Sequence, residues 1–420
     1  MITRNRNMLS NEVLPDAVRA CVREFLADAP RLKSLRDAYD GRRDICERER
    51  AAGLPNNRLV HDFPRYICTM AVGYLIGNPV QYEADDAARP ALDALLEAYR
   101  DAAADSVDVE LARSASLYGR GVELVFMDEM ARPRTAALDP RRAFVVYDDT
   151  VENRPICGIR LTERTDALGQ PAGLSCEVFT ELETIVYDVP DDGGHYIERA
   201  REAHWFPQVP MVEYWNGEDE RGDFEGVLTL IDAYDRLQSD RMNDKAQFVD
   251  ALLILSGCTM EPDEYGRSPG RQLREDKVLV LPDSDARAEW LCKQLSETDT
   301  EVLKKSLAAD IHKLSLVPDL SDARFSGYES GVAMRYKLLG LEQLTRVKER
   351  WFREGLRRRM DLFAAMLAAS GSPELDGSLV RMSFTRSVPV DPLEQAQTAQ
   401  ALTGIVPDET LRRIAMRAEG

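Results

Sequence analysis

A run from Thr298 to Ser370 constrains this chain more than any other stretch. Asp299 to Leu316 reads as a helix, because Leu303, Leu307, Ile311 and Leu314 recur every three or four positions and form one apolar stripe. Pro318 ends it, since proline has no N–H to donate and disfavours α geometry in the residue before it. The polar, glycine-containing segment VPDLSDARFSGYESG (317–331) follows. Val332 to about Ala369 is then predicted as a single helix about 55 Å long. Its apolar positions are Met334, Leu338, Leu341, Leu344, Val347 and Trp351, continued by Phe352, Leu356, Met360, Phe363 and Leu367. Two helices bracketing a polar loop make an arrangement that presents the loop.

At 420 residues the chain has room for two or three domains and a sizeable core. Its 73 acidic residues against 54 basic ones give −19, a balance that repels phosphates. The plain consequence is solubility; the sharper one is a protein past which a polyanion moves without sticking. No apolar run approaches the ~20 residues of a membrane helix, so no membrane partner is expected. The opening MITRNRNMLSNEV lacks the apolar stretch of a secretory signal. Seven scattered cysteines with no CxxC pair read as reduced thiols rather than disulfides or a zinc site.

Taken in order, residues 11–40 read as helical, with Leu26, Leu32, Leu35 and Tyr39 on a broken stripe. A charged linker (40–57) leads to a helix from Arg58 to Ile76, with Gly77 as a left-handed cap and Pro79 as the stop. VQYE (80–83) is a strand, Ala91 to Gly119 one helix, and GVELVFMD (121–128) a strand. Short β-rich runs then continue to residue 215 without intervening helices, which predicts a mixed or antiparallel sheet. A helix from Asp223, extending as far as Leu255, carries Phe224, Val227, Leu228, Ile231, Tyr234 and Leu237 on one face. Its other face holds Glu225, Asp232, Asp235, Asp240 and Asp244. A compact insert (256–297) includes the strand KVLVLP (277–282). Leu379 to Phe384 is a strand, and two short helices follow Asp391, broken at Gly404 to Pro407. The fold class is α+β, predominantly helical.

No catalytic constellation emerges. Asp191, Asp192 and His195, with His204 nearby, have ligand chemistry, but Asp and Gly are expected in such a turn. Ser330 misses the nucleophile-elbow position by one residue and has no strand before it. There is no Gly-Lys pair and so no phosphate-cradling loop, and no cofactor motif. The segment with Arg346, Lys348, Arg350, Arg353, Arg357, Arg358 and Arg359 against Glu349, Glu354 and Asp361 is basic. In an acidic protein, such a face suits contact with another copy.

Five stretches, in order and in register from about residue 30 to 410, resemble the portal proteins (head-to-tail connectors) of tailed double-stranded DNA bacteriophages, siphophage type. They are LPNNRLVHDFPRYICTMAVGYLIGNPVQYE (54–83), LDPRRAFVVYDDTVENRPICGIR (138–160), the run from VPMVEYWN to RMND (209–244), VPDLSDARFSGYESGVAMRYKLLGLEQLTRVKERWF (317–352) and TRSVPVDPLEQAQTA (385–399). The resemblance implies a portal-type fold with wing, stem, clip and short crown, assembled as a ring of about twelve copies. It implies a wing at 1–222, a stem helix at 223–251, a clip at 252–297 and a second stem helix at 298–316. A tunnel loop follows at 317–331, then a long wing helix and wing strand at 332–390 and a short crown at 391–420. Pro318, Asp319, Ser321, Asp322, Arg324, Phe325, Ser326, Gly327, Glu329, Ser330 and Gly331 are the residues implied to face DNA. Stem-channel candidates are Glu225, Asp232, Asp235, Asp240, Asp244, Lys304, Lys305 and Lys313; Arg346, Lys348, Arg350, Arg353, Arg357 and Arg358 are subunit-contact candidates. The implied partners are other copies, double-stranded DNA, the terminase large subunit, head-completion proteins, and capsid and scaffolding proteins, in the virion. The implied protein is not an enzyme and carries no cofactor. Two alternatives stand beside it: a carboxylate- and metal-dependent phage nuclease, and an oligomeric scaffold unrelated to DNA.

Overall fold

A computed structural model describes residues 1–190, 194–248, 252–256, 287–291, 297–320 and 336–386, together with 400, 401 and 403. The chain divides into two compact units. The first comprises Met1–Arg42, Asp62–Leu228 and Ile311–Gly420; the second comprises Arg43–His61 and Thr229–Asp310.

The first unit opens with β1 (Ile2–Arg4), α1 (Leu14–Ala27) and α2 (Ala29–Tyr39). The segment read as one helix breaks at Asp28, where Pro30 begins the next helix. The second unit's first segment carries α3 (Asp44–Glu47). Then come α4 (Phe63–Ile76), β2 (Gln81–Glu83), α5 (Arg89–Asp101) and α6 (Ala104–Tyr118). The helix α4 starts five residues later than expected. Gly77 ends it with φ −63°, in the right-handed region, so the stop comes from Pro79 and not from a left-handed cap. The helix expected from Ala91 to Gly119 is two helices, parted where Ala103 takes φ 51°.

Next come β3 (Arg120–Met127), β4 (Pro133–Leu138), β5 (Ala143–Asp148), β6 (Pro155–Thr165), β7 (Pro171–Phe179), β8 (Glu183–Val189), β9 (Ile197–Ala203) and β10 (Met211–Trp215). They form a six-stranded sheet in the order β1-β5-β6-β7-β8-β9 and a three-stranded sheet β10-β3-β4. Consecutive strands pair antiparallel, and β1 joins β5 in parallel, as a mixed meander predicts. SCEVFTELETIVYDV folds as a hairpin because the Thr180 hydroxyl takes the amides of Leu182 and Glu183 at 3.3 and 3.1 Å and reverses the chain. The charged IERAREA of β9 was not legible as a strand; it is an exposed edge, where charge discourages pairing with another chain.

The helix α7 (Leu228–Phe248) follows a 3-10 turn at Glu225–Val227 and stops well short of Leu255, because β11 (Leu252–Ser256) is a strand paired antiparallel with β12 (Arg287–Leu291). KVLVLP lies outside the described residues. Helix α8 spans Glu297–Ser315 and α9 spans Leu339–Ala369. Thirty-one residues make α9 about 46 Å long; the proposed start at Val332 lies outside the described residues. A short strand, β13 (Arg381–Ser383), pairs with β2. Of the segment after Asp391, only 400, 401 and 403 are described. No helix among the described residues is long and apolar enough to cross a membrane.

The inner face of α9 organises the largest core. Phe352, Leu356, Met360 and Phe363 pack with Leu95 and Tyr99 of α5 and with Tyr214 of β10. Gly355 permits this approach, since a Cβ there would stand 2.4 Å from the Tyr214 ring. A second core joins α1 to the six-stranded sheet.

Candidate nucleic-acid interface

The carboxylates of α7 are not a free acidic face. Asp235, Ser239 and Asn243 recur every four residues, and all three are 0% exposed. They receive the backbone amides of His61, Leu59 and Asn57 at 2.9, 2.9 and 2.6 Å. Four helical residues advance about 6 Å, and two extended residues advance about 6.6 Å. An extended strap therefore runs along the helix with every second amide seated on a polar side chain. The segment read as a charged linker supplies the counterions. Arg43 binds Asp232 and lies 3.2 Å from Asp235, while Arg48 and Arg50 reach Asp240 at 2.5 and 3.5 Å. His61 adds its Nδ1 to Asp235 at 2.8 Å. Asp244 is half-buried and also partnered.

Glu225 belongs to the first unit. Arg31 grips it bidentately at 2.7 and 2.9 Å, and the Gly222 amide donates to it at 3.1 Å. Burial opposes its ionisation, but these donors prevail and hold the carboxyl below its usual range. The expectation of a solvated acidic face is thus corrected: the charge of Glu225, Asp232, Asp235 and Asp240 is matched within the chain, and Asp235 is fully buried.

On α8, Lys305 and Lys313 are exposed and Lys304 reaches Glu301 at 3.3 Å. The apolar stripe expected there is buried at Ile311 only; Leu303 and Leu314 are 50% and 62% exposed. Beyond α8 the chain turns at Leu316, with φ 60°. His312 Nδ1 bonds the Val317 carbonyl at 2.9 Å. The Tyr66 hydroxyl donates to the Pro318 carbonyl at 2.8 Å and accepts the Leu320 amide at 3.2 Å. Pro318 and Asp319 are half-buried there. Ser321, Asp322, Arg324, Phe325, Ser326, Gly327, Glu329, Ser330 and Gly331 lie outside the described residues.

The basic helix face divides into inward and outward parts. Lys348 is buried and ion-paired with Asp223, which also accepts Ser116 Oγ at 2.5 Å and Asn216 Nδ2 at 2.8 Å. Lys348 is therefore withdrawn from the subunit-contact set. Arg346 pairs with Glu342 and Arg353 with Glu349 along the helix, and Arg350 is exposed. Arg357 and Arg358 are half-buried.

Arg359, left out of the contact set, is the anchor of the inner face. It is 0% exposed, ion-pairs with Asp108 at 2.5 Å and donates its Nε–H to Glu123 at 2.6 Å. Glu123 also takes the hydroxyls of Thr135 and Tyr214. Burial pushes Asp108 up to about 6 against the pull of Arg359. The helical phase of Phe352, Leu356 and Phe363 places residue 359 inward, and that phase is readable from sequence.

The candidate metal ligands are not gathered. Asp191 and Asp192 lie outside the described residues, His195 is exposed beside Asp16, and His204 Nε2 is engaged with the Thr180 carbonyl at 3.0 Å. Among the described residues no three His, Cys, Asp or Glu side chains cluster as a metal site.

A family model described as "Phage portal protein, SPP1 Gp6-like" matches residues 19–420. The portal protein of Bacillus phage SPP1 is 23% identical over 418 residues, covering 94% of this chain and 79% of that protein. The portal protein of Clostridium phage phiCD119 is 25% identical over 231 residues, covering 52% of this chain and 48% of that protein. Among solved structures, a chain from the neck of an empty gene transfer agent particle computed with C6 symmetry aligns with TM-score 0.50 and 14% identity, covering 84% of this chain and 90% of that one. That last likeness concerns the fold alone.

Proposed function

The chain belongs to the phage portal protein family of the SPP1 Gp6-like kind, and from that premise we propose that it closes into a ring of about twelve copies at a capsid vertex. The ring's centre is the passage through which double-stranded DNA is packaged and later ejected. The observation that carries the reading is the family match across residues 19–420.

In this reading residues 1–222 and 332–390 form the wing, with α9 as its spine. Helices α7 and α8 are the stem, 252–297 the clip that meets terminase and later the head-completion proteins, 317–331 the tunnel loop and 391–420 a short crown. Capsid and scaffolding proteins surround the ring, and its place is the virion. The protein's part is mechanical, without catalysis. The strap gives the stem a specific property: α7 keeps its carboxylates neutralised, so DNA repulsion comes from the chain's net −19 rather than from this helix. The exposed leucines Leu303 and Leu314 are then where α8 packs against a neighbouring copy.

Deleting residues 321–329 tests the role of the loop. Ring yield by negative-stain microscopy is expected to equal wild type, while DNA packaged or retained per particle falls to background. Loss of rings in the deletion would make the loop an assembly element instead.

A further inference from the structure

The proposed ring needs a heterologous interface, two different faces of one chain that complement each other. Two exposed helix faces of the first unit have the required character. On the outward side of α9, Val347 and Trp351 sit one turn apart and are 50% and 36% exposed. Between them Arg350 is exposed, flanked by arginines already tied to their own helix, and it has no ion-pair partner among the described residues. Tryptophan and arginine together are the residue types that most often carry binding energy in protein interfaces.

The second face is on α5. Asp93, Glu97 and Asp101 follow at intervals of four, all exposed and none ion-paired among the described residues. Like charges at this spacing repel along a helix, and Asp101 stands at the carboxyl end, where the macrodipole opposes a negative charge. Arg100 in the last turn and the Arg134 guanidinium on the Asp101 carbonyl ease the end of the helix, but no basic side chain among the described residues ion-pairs with the three carboxylates themselves.

Tyr99 of α5 packs edge-on against Phe363 on the buried side of α9, with ring centroids 5.0 Å apart. The helical phase of Leu92, Leu95 and Tyr99 is opposite to that of Asp93, Glu97 and Asp101. The carboxylate ridge of α5 and the outward stripe of α9 therefore look away from each other, as the two halves of a head-to-tail contact must. We propose that a second copy of this chain seats its Asp93–Glu97–Asp101 ridge against the Val347–Arg350–Trp351 stripe, and that this contact, repeated, helps close the ring. The proposal rests on the ring reading and specifies where the wing surfaces meet.

Charge exchange tests it on the full chain. Arg350→Glu alone and Glu97→Arg alone should each raise the concentration for half-assembly, measured by mass photometry, about tenfold or more. Combining the two should return it to within about threefold of wild type, because the pair is restored with its sign reversed. Both positions are exposed, so circular dichroism and melting temperature of the monomer should match wild type and separate misfolding from lost assembly. Single variants that assemble like wild type, or a double variant no better than the worse single, would overturn the contact while leaving the ring intact. A wild-type chain that forms no ring overturns the ring reading, and this contact with it.

Discussion

Replacing Arg359 with methionine is expected to lower folding stability by about 3–5 kcal/mol, because it strands two buried carboxylates. Methionine fills the aliphatic volume of the side chain, so the loss comes from charge and not from a cavity. Glu123 would keep the Thr135 and Tyr214 hydroxyls, but Asp108 and Glu123 would both lose the guanidinium that pairs them. The cost falls on the joint between α9, α6 and the β10-β3-β4 sheet, where the largest core lies. Urea denaturation followed by far-ultraviolet circular dichroism measures it. The triple change Arg359→Met, Asp108→Asn, Glu123→Gln should recover most of the loss, since an apolar or neutral replacement of a whole buried ion cluster is often close to neutral. A single variant within about 1 kcal/mol of wild type would show that the cluster does not hold the joint.

The second large effect is expected at Asp235→Ala, at about 3 kcal/mol. The substitution leaves the buried Arg43 with Asp232 alone and removes the acceptor for the His61 amide. Its signature is local. Amide hydrogen exchange should speed most at His61, less at Leu59 and Asn57, because Ser239 and Asn243 still receive their amides. Were Asp235 a channel-facing charge, the exchange pattern of residues 57–61 would stay as in wild type. The two outcomes separate a structural carboxylate from a DNA-facing one.

Much of the first unit was legible because its signals are local. Alternation gave β3, short apolar runs gave β5 and β6, and the three-four spacing of Leu341, Phe352, Leu356 and Phe363 gave α9. Arg359 was legible by phase as well; its place on the apolar stripe, inside an Arg-Arg-Arg run, is the kind of conflict that marks a buried ion cluster. The strap was not legible. Residues 57–61 are extended but pair with side chains of a helix, so they carry neither the alternation of a strand nor the periodicity of a helix. Its other half, Asp235-Ser239-Asn243, shows the four-residue spacing, yet nothing in that spacing names the partner. The break at Ala103 was also hidden, since an alanine in the left-handed region contradicts its own propensity and is set by the packing of Ala102 and Ala104. That the charges of Asp232, Asp235 and Asp240 are matched within the chain was hidden for a related reason. Their arginine partners lie about 190 residues away along the chain, and charge tallies along one helix cannot see them.

The most direct test of the account is electron cryomicroscopy of the purified full chain, viewed along the axis of its assemblies. Closed rings of about twelve copies with an open centre that admits a DNA duplex are expected. Assemblies without a through-hole, or monomers alone at every concentration and with scaffolding protein added, would contradict it.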